Sequence, residues 1–297
     1  LGRRWGGGAP PAGRRGLLVV QVDGLSTRAL IAAIKRGRVP TLSGLLARGS
    51  HVLHRWHCGL PSNTPAVQAG MLYGDRADVA GDRWFDRREQ VFKVVSSPAT
   101  ARELEARVTD AQRPPLLRGG SCISSLLSGG AEKRLLTVSA LSELRHRHIR
   151  PQEQADVNLF YLSPYAYTKA VLAGTWDWLS GLVMGTLGLL RRQRPRLRNH
   201  PIKLAQGAVT SSVLRQASFF WLRQDVVRGT PVIYSNFVGY DDVAHYCGPA
   251  DYEAQVVLAG FDRNLRKLLR FARRHGALRY DLVVLSDHGQ SPSMPFR

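Results

Sequence analysis

Residues 17–24 read Leu-Leu-Val-Val-Gln-Val-Asp-Gly, and this stretch decides the fold. A short apolar run that is β-branched in part is typical of a central parallel strand that is buried on both faces. Asp23 directly follows the run. Ser26 is a suitable N-cap for a helix over residues 27–35, and a second helix is predicted over residues 40–49. The sequence therefore has a strand followed by helices after its first 16 residues.

The same alternation continues along the chain. Further strands are predicted over residues 51–58, 135–138, 232–237 and 281–286, with helical stretches such as 252–274 between them. Alternating strands and helices are typical of an α/β fold with a mainly parallel sheet. Residues 64–72 read as a helix in which Pro65 occupies the first turn, and this position makes Thr64 the predicted N-cap.

The length and composition of the chain limit the class of protein to which it can belong. The chain has 297 residues and 44% hydrophobic residues, enough for one large domain or two small ones with a buried core. Its three cysteines lack a CxxC spacing, so neither a disulfide framework nor a zinc finger is indicated. Residues 1–16 are rich in Gly, Pro and Arg without periodicity, and we predict that they form a disordered linker or tail.

The chain is strongly basic. It has 42 Lys and Arg residues against 22 Asp and Glu residues, which gives a formal net charge of +20. Such a charge attracts anions, among them phosphate esters, acidic lipids and nucleic acid. No recognised nucleic-acid-binding module is present in the sequence. An anionic phosphate-ester substrate is the partner that we expect.

Three aspartates occur at predicted strand ends or shortly after them. In an open parallel sheet the ligand site lies outside the carboxyl ends of the strands, where Asp23, Asp241 and Asp287 are expected to meet. Three converging carboxylates repel one another unless a cation lies between them. His245 follows Asp241 by one helical turn and His288 follows Asp287 directly, so each pair could bind one ion. The donor set predicts two divalent metal ions, with zinc preferred and manganese or iron as alternatives.

Thr64 is the candidate nucleophile beside these ligands. A threonine hydroxyl is rarely ionised at neutral pH and needs a base or a metal before it can attack phosphorus. The helix that follows would favour an anion at its N-terminus. Ser62 is a rival nucleophile in the same loop. Three nearby histidines could suggest a further metal cluster, but alternation along the predicted strand would separate them, and we interpret them as structural: His51, His54 and His57.

Four motifs in this order resemble the type I phosphodiesterase/nucleotide pyrophosphatase family of the alkaline phosphatase superfamily. They are Val22-Asp23-Gly24, the loop Leu60 to Pro65 followed by Ala69-Gly70, the stretch Asp241 to Pro249, and Ser286-Asp287-His288-Gly289. The resemblance implies a three-layer α/β/α sandwich over residues 17–297. It implies that Thr64 is both nucleophile and ligand, that Asp23, Asp287 and His288 complete one metal site, and that Asp241 and His245 belong to the other.

The resemblance also implies one further histidine ligand near the C-terminus, yet no histidine follows His288. We therefore expect a catalytic domain that is truncated at its C-terminus, and a fragment whose own activity is in question. Residues at about 75–230 are expected to form a cap or insertion that sets specificity. Asn63, Trp84 and Asp86 are candidate substrate-binding residues.

Residues 171–190 are long and apolar enough to be a transmembrane candidate. A single crossing would place Thr64 and Asp241 on opposite sides of a membrane, so we favour a lid-forming or buried helix pair. The alternative is peripheral contact with a membrane surface through Trp176 and Trp178. No signal peptide is recognisable, and a cytoplasmic or membrane-associated location is expected.

The sequence thus predicts metal-dependent hydrolysis of phosphodiester or pyrophosphate bonds through a covalent phosphothreonine-type intermediate on Thr64. A phosphomonoesterase or phosphotransferase on the same scaffold is the alternative within the enzymes, and a sulfatase is a more distant one. A non-catalytic basic protein that binds membrane or nucleic acid, with a degenerate metal site, is the alternative outside them.

Overall fold

The structure, a computed structural model, describes residues 14–77, 79–110, 112–144, 150–190 and 201–291, and a parallel sheet lies at its centre. The strands in this part of the chain are β1 (Arg15–Val22), β2 (Arg83–Asp86), β3 (Val91–Val94), β4 (Ser121–Ile123), β5 (Lys133–Leu135), β6 (Val232–Phe237) and β7 (Arg279–Leu285). The central sheet has the order β5-β4-β6-β1-β7, and every neighbouring pair is parallel. Strands β2 and β3 form a separate antiparallel pair.

Helices connect most of the strands. They are α1 (Thr27–Lys35), α2 (Pro40–Ala47), α3 (Thr64–Tyr73), α4 (Pro98–Val108), α5 (Val138–Leu144), α6 (Pro151–Leu162), α7 (Pro164–Leu190), α8 (Pro201–Arg228), α9 (Gly239–Cys247) and α10 (Tyr252–His275). The side chain of Ser26 accepts a hydrogen bond from the Ala29 amide at 3.2 Å, which gives α1 the cap predicted for it.

The side chains of β1 divide the core into two layers. Successive residues of a strand point to opposite faces of the sheet. Leu18 and Val20 pack in one apolar cluster with residues of α1, α2, α8, α9 and α10, whereas Val19 packs in the other with residues of α3 and α4. Helices therefore cover both faces, and the predicted α/β/α sandwich with a mainly parallel sheet is confirmed.

Besides the strand predicted over residues 135–138, which lies instead at Lys133–Leu135, three sequence-based boundaries need correction. Residues 51–58 form no strand: three histidines and an arginine interrupt the apolar run, and the Trp56 indole donates to the Ser286 carbonyl at 3.1 Å from outside the sheet. Arg15 and Gly16 begin β1 and do not belong to a tail, because the Arg15 guanidinium binds Asp281 of β7. Most of the predicted tail, residues 1–13, lies outside the described residues.

The third correction concerns the region at 75–230 that was expected to form a cap or insertion. It supplies β4 and β5 to the central sheet, in addition to the long helices α7 and α8. Helix α7 packs along α8, and α8 packs on α10 and β6. Among the described residues, none of the helices combines the length and hydrophobicity that a membrane crossing requires.

Candidate active site

The predicted site residues converge at the carboxyl ends of three adjacent strands. Asp23 directly follows β1, Asp287 lies two residues beyond the end of β7, and α9 follows β6 with Asp241 in its first turn. Since these strands are parallel neighbours in the order β6-β1-β7, their carboxyl ends lie at one edge of the sheet. The topology therefore brings together residues that are more than 200 positions apart in sequence.

The hydroxyl of Thr64 lies beside Asp23 and His288, and Asp287 lies next to both of these residues; we call the four the threonine site: Asp23, Thr64, Asp287 and His288. Thr64 Oγ1 lies 3.3 Å from Asp23 Oδ1 and 3.2 Å from His288 Nε2. His288 Nε2 is also 3.6 Å from Asp23 Oδ1 and 3.6 Å from Asp287 Oδ2. The candidate nucleophile thus lies within hydrogen-bonding distance of two potential metal ligands.

The start of α3 fixes the position of Thr64, but Thr64 is not its N-cap as predicted. Asn63 takes that role: it has extended backbone angles, and its side-chain oxygen accepts from the Ala66 amide at 3.1 Å. Thr64 is the first residue of the helix, so its hydroxyl is directed to Asp23 and His288 instead. The positive end of the helix dipole lies beside that hydroxyl.

The threonine site is buried and rich in negative charge. Asp23 is 4% exposed and Asp287 is fully buried. Burial raises the pKa of Asp23 well above its ordinary value, and the negative charges of Asp287 and Asp241 raise it further. The Asn236 amide donates to Asp23 Oδ2 at 2.9 Å and opposes this shift only in part.

The donor atoms fit a divalent cation. Asp23, Asp287 and His288 each offer one ligand atom, and these atoms all lie within 4.8 Å of one another. Asp287 Oδ2 is buried and has no hydrogen-bond partner among the described residues, although buried carboxylate oxygens are normally satisfied. A cation held by these atoms would satisfy that oxygen and offset the repulsion. Two carboxylates with one imidazole form a donor set that suits zinc, with manganese or iron as alternatives.

The second pair of predicted ligands lies beside the threonine site. His245 Nε2 is 3.1 Å from Asp241 Oδ2, as their helical spacing favours. Burial acts to raise the pKa of Asp241, but the hydrogen bond and charge of His245 outweigh it and lower this pKa. Asp241 Oδ1 also lies 2.0 Å from where a Cβ atom would stand on Gly24, so only glycine allows this approach. Asp241 and His245 thus lie beside the threonine site, but they are not among the three residues whose ligand atoms converge there.

Other candidate residues have contacts elsewhere. Ser62 is exposed, and its hydroxyl lies 3.1 Å from Cys58 Sγ. Trp84 of β2 packs against the core layer that contains α3 and α4. Asp86 accepts from the Arg88 amide at 2.9 Å, and it also pairs with a lysine of the same hairpin. The contacts found for Trp84 and Asp86 are those of a hairpin that packs on the domain.

Two polar residues of the site were missed by the sequence analysis. Asn236, the donor to Asp23, is the last residue but one of β6. The rule that placed the aspartates at strand ends could have found it. Gln290 donates to the backbone carbonyl of Asp241 at 3.2 Å and also contacts its carboxylate, and no sequence signal predicts this contact.

Comparison with known proteins agrees with this geometry. A family model described as Type I phosphodiesterase / nucleotide pyrophosphatase matches residues 17–295, which is nearly the whole chain. A comparison with curated proteins gave no significant match. The family match covers all the strands of the central sheet and every residue of the threonine site. The chain therefore belongs to the type I phosphodiesterase/nucleotide pyrophosphatase family.

Proposed function

We propose that this chain hydrolyses phosphodiester or pyrophosphate bonds with Thr64 as the nucleophile. The observation that carries the proposal is the position of Thr64 Oγ1, which lies within 3.3 Å of an aspartate oxygen and a histidine nitrogen at a helix N-terminus. Family membership supports the reaction class. The net charge of +20 favours the approach of an anionic substrate.

Asp23, Asp287 and His288 would hold one divalent metal ion together with Thr64, and Asp241 and His245 would contribute to a second. When bound, such ions supply positive charge that lowers the pKa of a hydroxyl group and stabilises phosphoryl oxygens. Zinc fits the carboxylate and imidazole donors best, with manganese or iron as alternatives. The support is the buried Asp287 Oδ2, for which the described part of the chain offers no hydrogen-bond partner.

The residues of the chain define the course of the reaction. Thr64 Oγ forms a bond to phosphorus while the bond from phosphorus to the leaving oxygen breaks. Thr64 loses its proton and the leaving oxygen takes one up, so the first step yields a phosphothreonine ester and an alcohol or phosphate. Water then forms a bond to the same phosphorus while the bond from phosphorus to Thr64 Oγ breaks, so that a phosphate product is released; the water loses a proton and Thr64 Oγ takes one up, which regenerates the hydroxyl. The N-terminus of α3 favours the negative phosphoryl oxygens throughout.

A pair of chromogenic esters tests the proposal. The zinc-loaded protein is assayed on bis(4-nitrophenyl) phosphate and on 4-nitrophenyl phosphate, beside Thr64→Ala and Thr64→Ser. We expect the diester to be the better substrate, and we expect Thr64→Ala to lose at least on the order of 10³-fold in kcat. Thr64→Ser keeps a hydroxyl and should retain part of the activity. Mass spectrometry of acid-quenched protein should find the phosphoryl adduct on Thr64.

The outcomes separate the alternatives. Faster turnover of the monoester would indicate a phosphomonoesterase or phosphotransferase on the same residues. An unchanged rate for Thr64→Ala would refute the nucleophile. If neither ester is cleaved and the protein instead binds nucleic acid or acidic vesicles with a steep salt dependence, the non-catalytic alternative is supported.

A further inference from the structure

Helix α7 has an apolar side that is exposed to solvent. Tyr165, Leu172 and Trp176 are 74%, 64% and 71% exposed. They are spaced seven and four residues apart, so they lie on one side of the helix, and Leu179 and Val183 continue this side and are also exposed. A surface helix normally turns polar residues to water. A continuous exposed apolar side indicates a surface that binds a partner.

A basic groove adjoins this side. It lies between α7, α8 and α10, has a volume of about 830 Å³, and is lined by both aromatic and basic side chains: Tyr165, Trp176, Lys169, Arg215, Arg263 and Lys267. Among the described residues that line it, none is a carboxylate. The groove thus combines an aromatic rim with four positive charges.

The positive charges in the groove act on one another. Burial lowers the pKa of Lys169, and the nearby charges of Lys267, Arg223 and Arg215 lower it further. Crowding of like charges on a partly buried lysine is unfavourable, and an anion in the groove would relieve it. The chemistry of the groove is therefore that of a site for an anionic group.

We propose that the apolar side of α7 and this groove form a docking surface for a bilayer that contains acidic phospholipids. Acidic headgroups match the basic groove in charge, and the attraction falls off within a Debye length. Trp176 and Tyr165 are the residue types that favour the headgroup level. Leu172, Leu179 and Val183 would enter the acyl boundary with the helix lying in the plane of the interface.

A nucleic acid fits these observations less well. Basic and aromatic residues together also bind single strands, because bases stack on aromatic rings. The aliphatic residues Leu172, Leu179 and Val183 would gain nothing from stacking, whereas they would gain from burial in hydrocarbon. The exposed aliphatic part of α7 therefore favours the lipid surface. This docking surface requires no residue of the threonine site and is independent of the proposed chemistry.

Vesicle flotation tests the proposal. The protein is mixed with vesicles of phosphatidylcholine alone or with added phosphatidylglycerol, at low and high salt. The test variant is Arg263→Glu with Lys267→Glu. Helix α10 offers a matched control, Arg273→Glu with Arg274→Glu, which makes the same change in net charge at exposed positions beyond the groove.

We expect the wild-type protein to bind the acidic vesicles and to be released by salt. The groove variant should lose at least about 30-fold in vesicle affinity, and the control should keep most of it. Trp176→Ser should lose about tenfold because its exposed ring no longer enters the interface. All variants should cleave the diester at the wild-type rate if the wild type does, and circular dichroism should show that they fold.

Three results would overturn the proposal. The first is equal loss of vesicle binding in the groove variant and the matched control, which would mean that only net charge matters. The second is unchanged binding of Trp176→Ser. The third is a groove variant that loses affinity for a single-stranded oligonucleotide or for inorganic phosphate while vesicle binding is absent in the wild type.

Discussion

Two clusters of buried carboxylates lie at opposite ends of the same sheet, and they differ in how their charge is balanced. At the amino ends of β4 and β5, two acids and two bases form what we call the ion-pair cluster: Lys133, Asp156, Asp225 and Arg228. At the carboxyl ends of β1 and β7 lies the threonine site. The carboxylates of both clusters are buried, so the difference between the clusters does not come from exposure of these groups.

The ion-pair cluster satisfies its own charges. Lys133 Nζ lies 3.0 Å from Asp156 Oδ2 and also contacts Asp225. Arg228 donates to Asp156 at 2.6 Å, and the Ser121 hydroxyl donates to Asp225 at 2.6 Å. Two negative and two positive charges sum to zero. A buried cluster of this kind needs no ligand to be stable.

The threonine site does not balance its charges in this way. Asp23 and Asp287 have one basic side chain beside them within the site, His288, and the neighbouring Asp241 is paired with His245. Within the ranges that the structure describes, one oxygen of Asp287 has no hydrogen-bond partner. The comparison teaches that burial of carboxylates does not identify a functional site, but an excess of buried negative charge does. The following predictions test this difference, from the largest expected effect to the smallest.

The largest loss of stability is expected when a basic side chain is removed from the ion-pair cluster. Lys133→Met leaves Asp156 and Asp225 with a single basic partner, and we expect the free energy of unfolding to fall by roughly 3–5 kcal/mol. Urea denaturation followed by circular dichroism measures this loss. In a second variant, Lys133→Met with Asp225→Leu, the loss should be at least halved because the unpaired charge is gone. A loss below 1 kcal/mol in the single variant, at about the level of an exposed pair, would show that the cluster is not balanced by Lys133.

Addition of zinc should stabilise the protein, with Asp23, Asp287 and His288 of the threonine site as its principal ligands. At a free zinc concentration 100 times the Kd, binding to the folded state raises the free energy of unfolding by about 2.7 kcal/mol. In Asp287→Asn an affinity lowered by at least tenfold would reduce the gain to about 1.4 kcal/mol or less. Thermal unfolding with zinc, and then with excess chelator, measures both values.

Asp281→Asn is the matched control for the zinc experiment, since Asp281 is an exposed aspartate near the amino end of β7, whereas Asp287 follows the carboxyl end of that strand. Its response to zinc should equal that of the wild type. If zinc raises the free energy of unfolding of Asp287→Asn and Asp281→Asn by the same amount, zinc binds outside the threonine site. The excess negative charge of that site would then have another explanation.

Neutralisation of Asp23 should stabilise the metal-free protein at neutral pH, in contrast to the ion-pair cluster. The folded-state pKa of Asp23 is raised by burial and by neighbouring carboxylates, so its contribution to stability is lost as the pH rises above the ordinary value of 3.8. We expect Asp23→Asn to gain roughly 1–3 kcal/mol over the wild type at pH 7, and less at pH 4. Denaturation in chelator at both pH values measures the gain. A destabilised Asp23→Asn at pH 7 would contradict it.

The sequence predicted those elements whose pattern is long or strongly apolar. Strand β6 was predicted at residues 232–237 and is observed there, and α10 ends one residue beyond its prediction. The short strands were missed or displaced. β4 has three residues, too few for a periodic signal, and β5 ends at Leu135 because Leu136 takes a positive φ of 54°.

Residues of the threonine site could be named from the sequence because the ends of parallel strands meet at one edge of a sheet. The contacts between them could not. Whether Thr64 or Asn63 caps α3 depends on one backbone position, and the donation from Asn236 to Asp23 depends on the register of β6 against β1. The balanced charge of the ion-pair cluster also gave no sequence signal, since Lys133 and Asp225 are 92 residues apart.

The smallest expected effect is a change in stability at acidic pH that comes from Asp156 of the ion-pair cluster. Burial acts to raise the pKa of Asp156, but the hydrogen bond from Arg228 and the charge of Lys133 outweigh it and lower this pKa. The contribution of Asp156 is therefore present above its ordinary value of 3.8 and is lost as the pH falls through the folded-state pKa.

Asp156→Asn should accordingly be less stable than the wild type at pH 7, and the difference should narrow as the pH falls toward 3. Burial raises the pKa of Asp225 and the charge of Asp156 raises it further, so the comparison is repeated in an Asp225→Asn background, which removes that second titration. Urea denaturation at several pH values measures the free energy of unfolding of each variant relative to the wild type. At pH 7 this free energy should be lower for Asp156→Asn and higher for Asp23→Asn. If both lost stability at pH 7, the two clusters would be equally balanced, and the argument for a cation at the threonine site would fail.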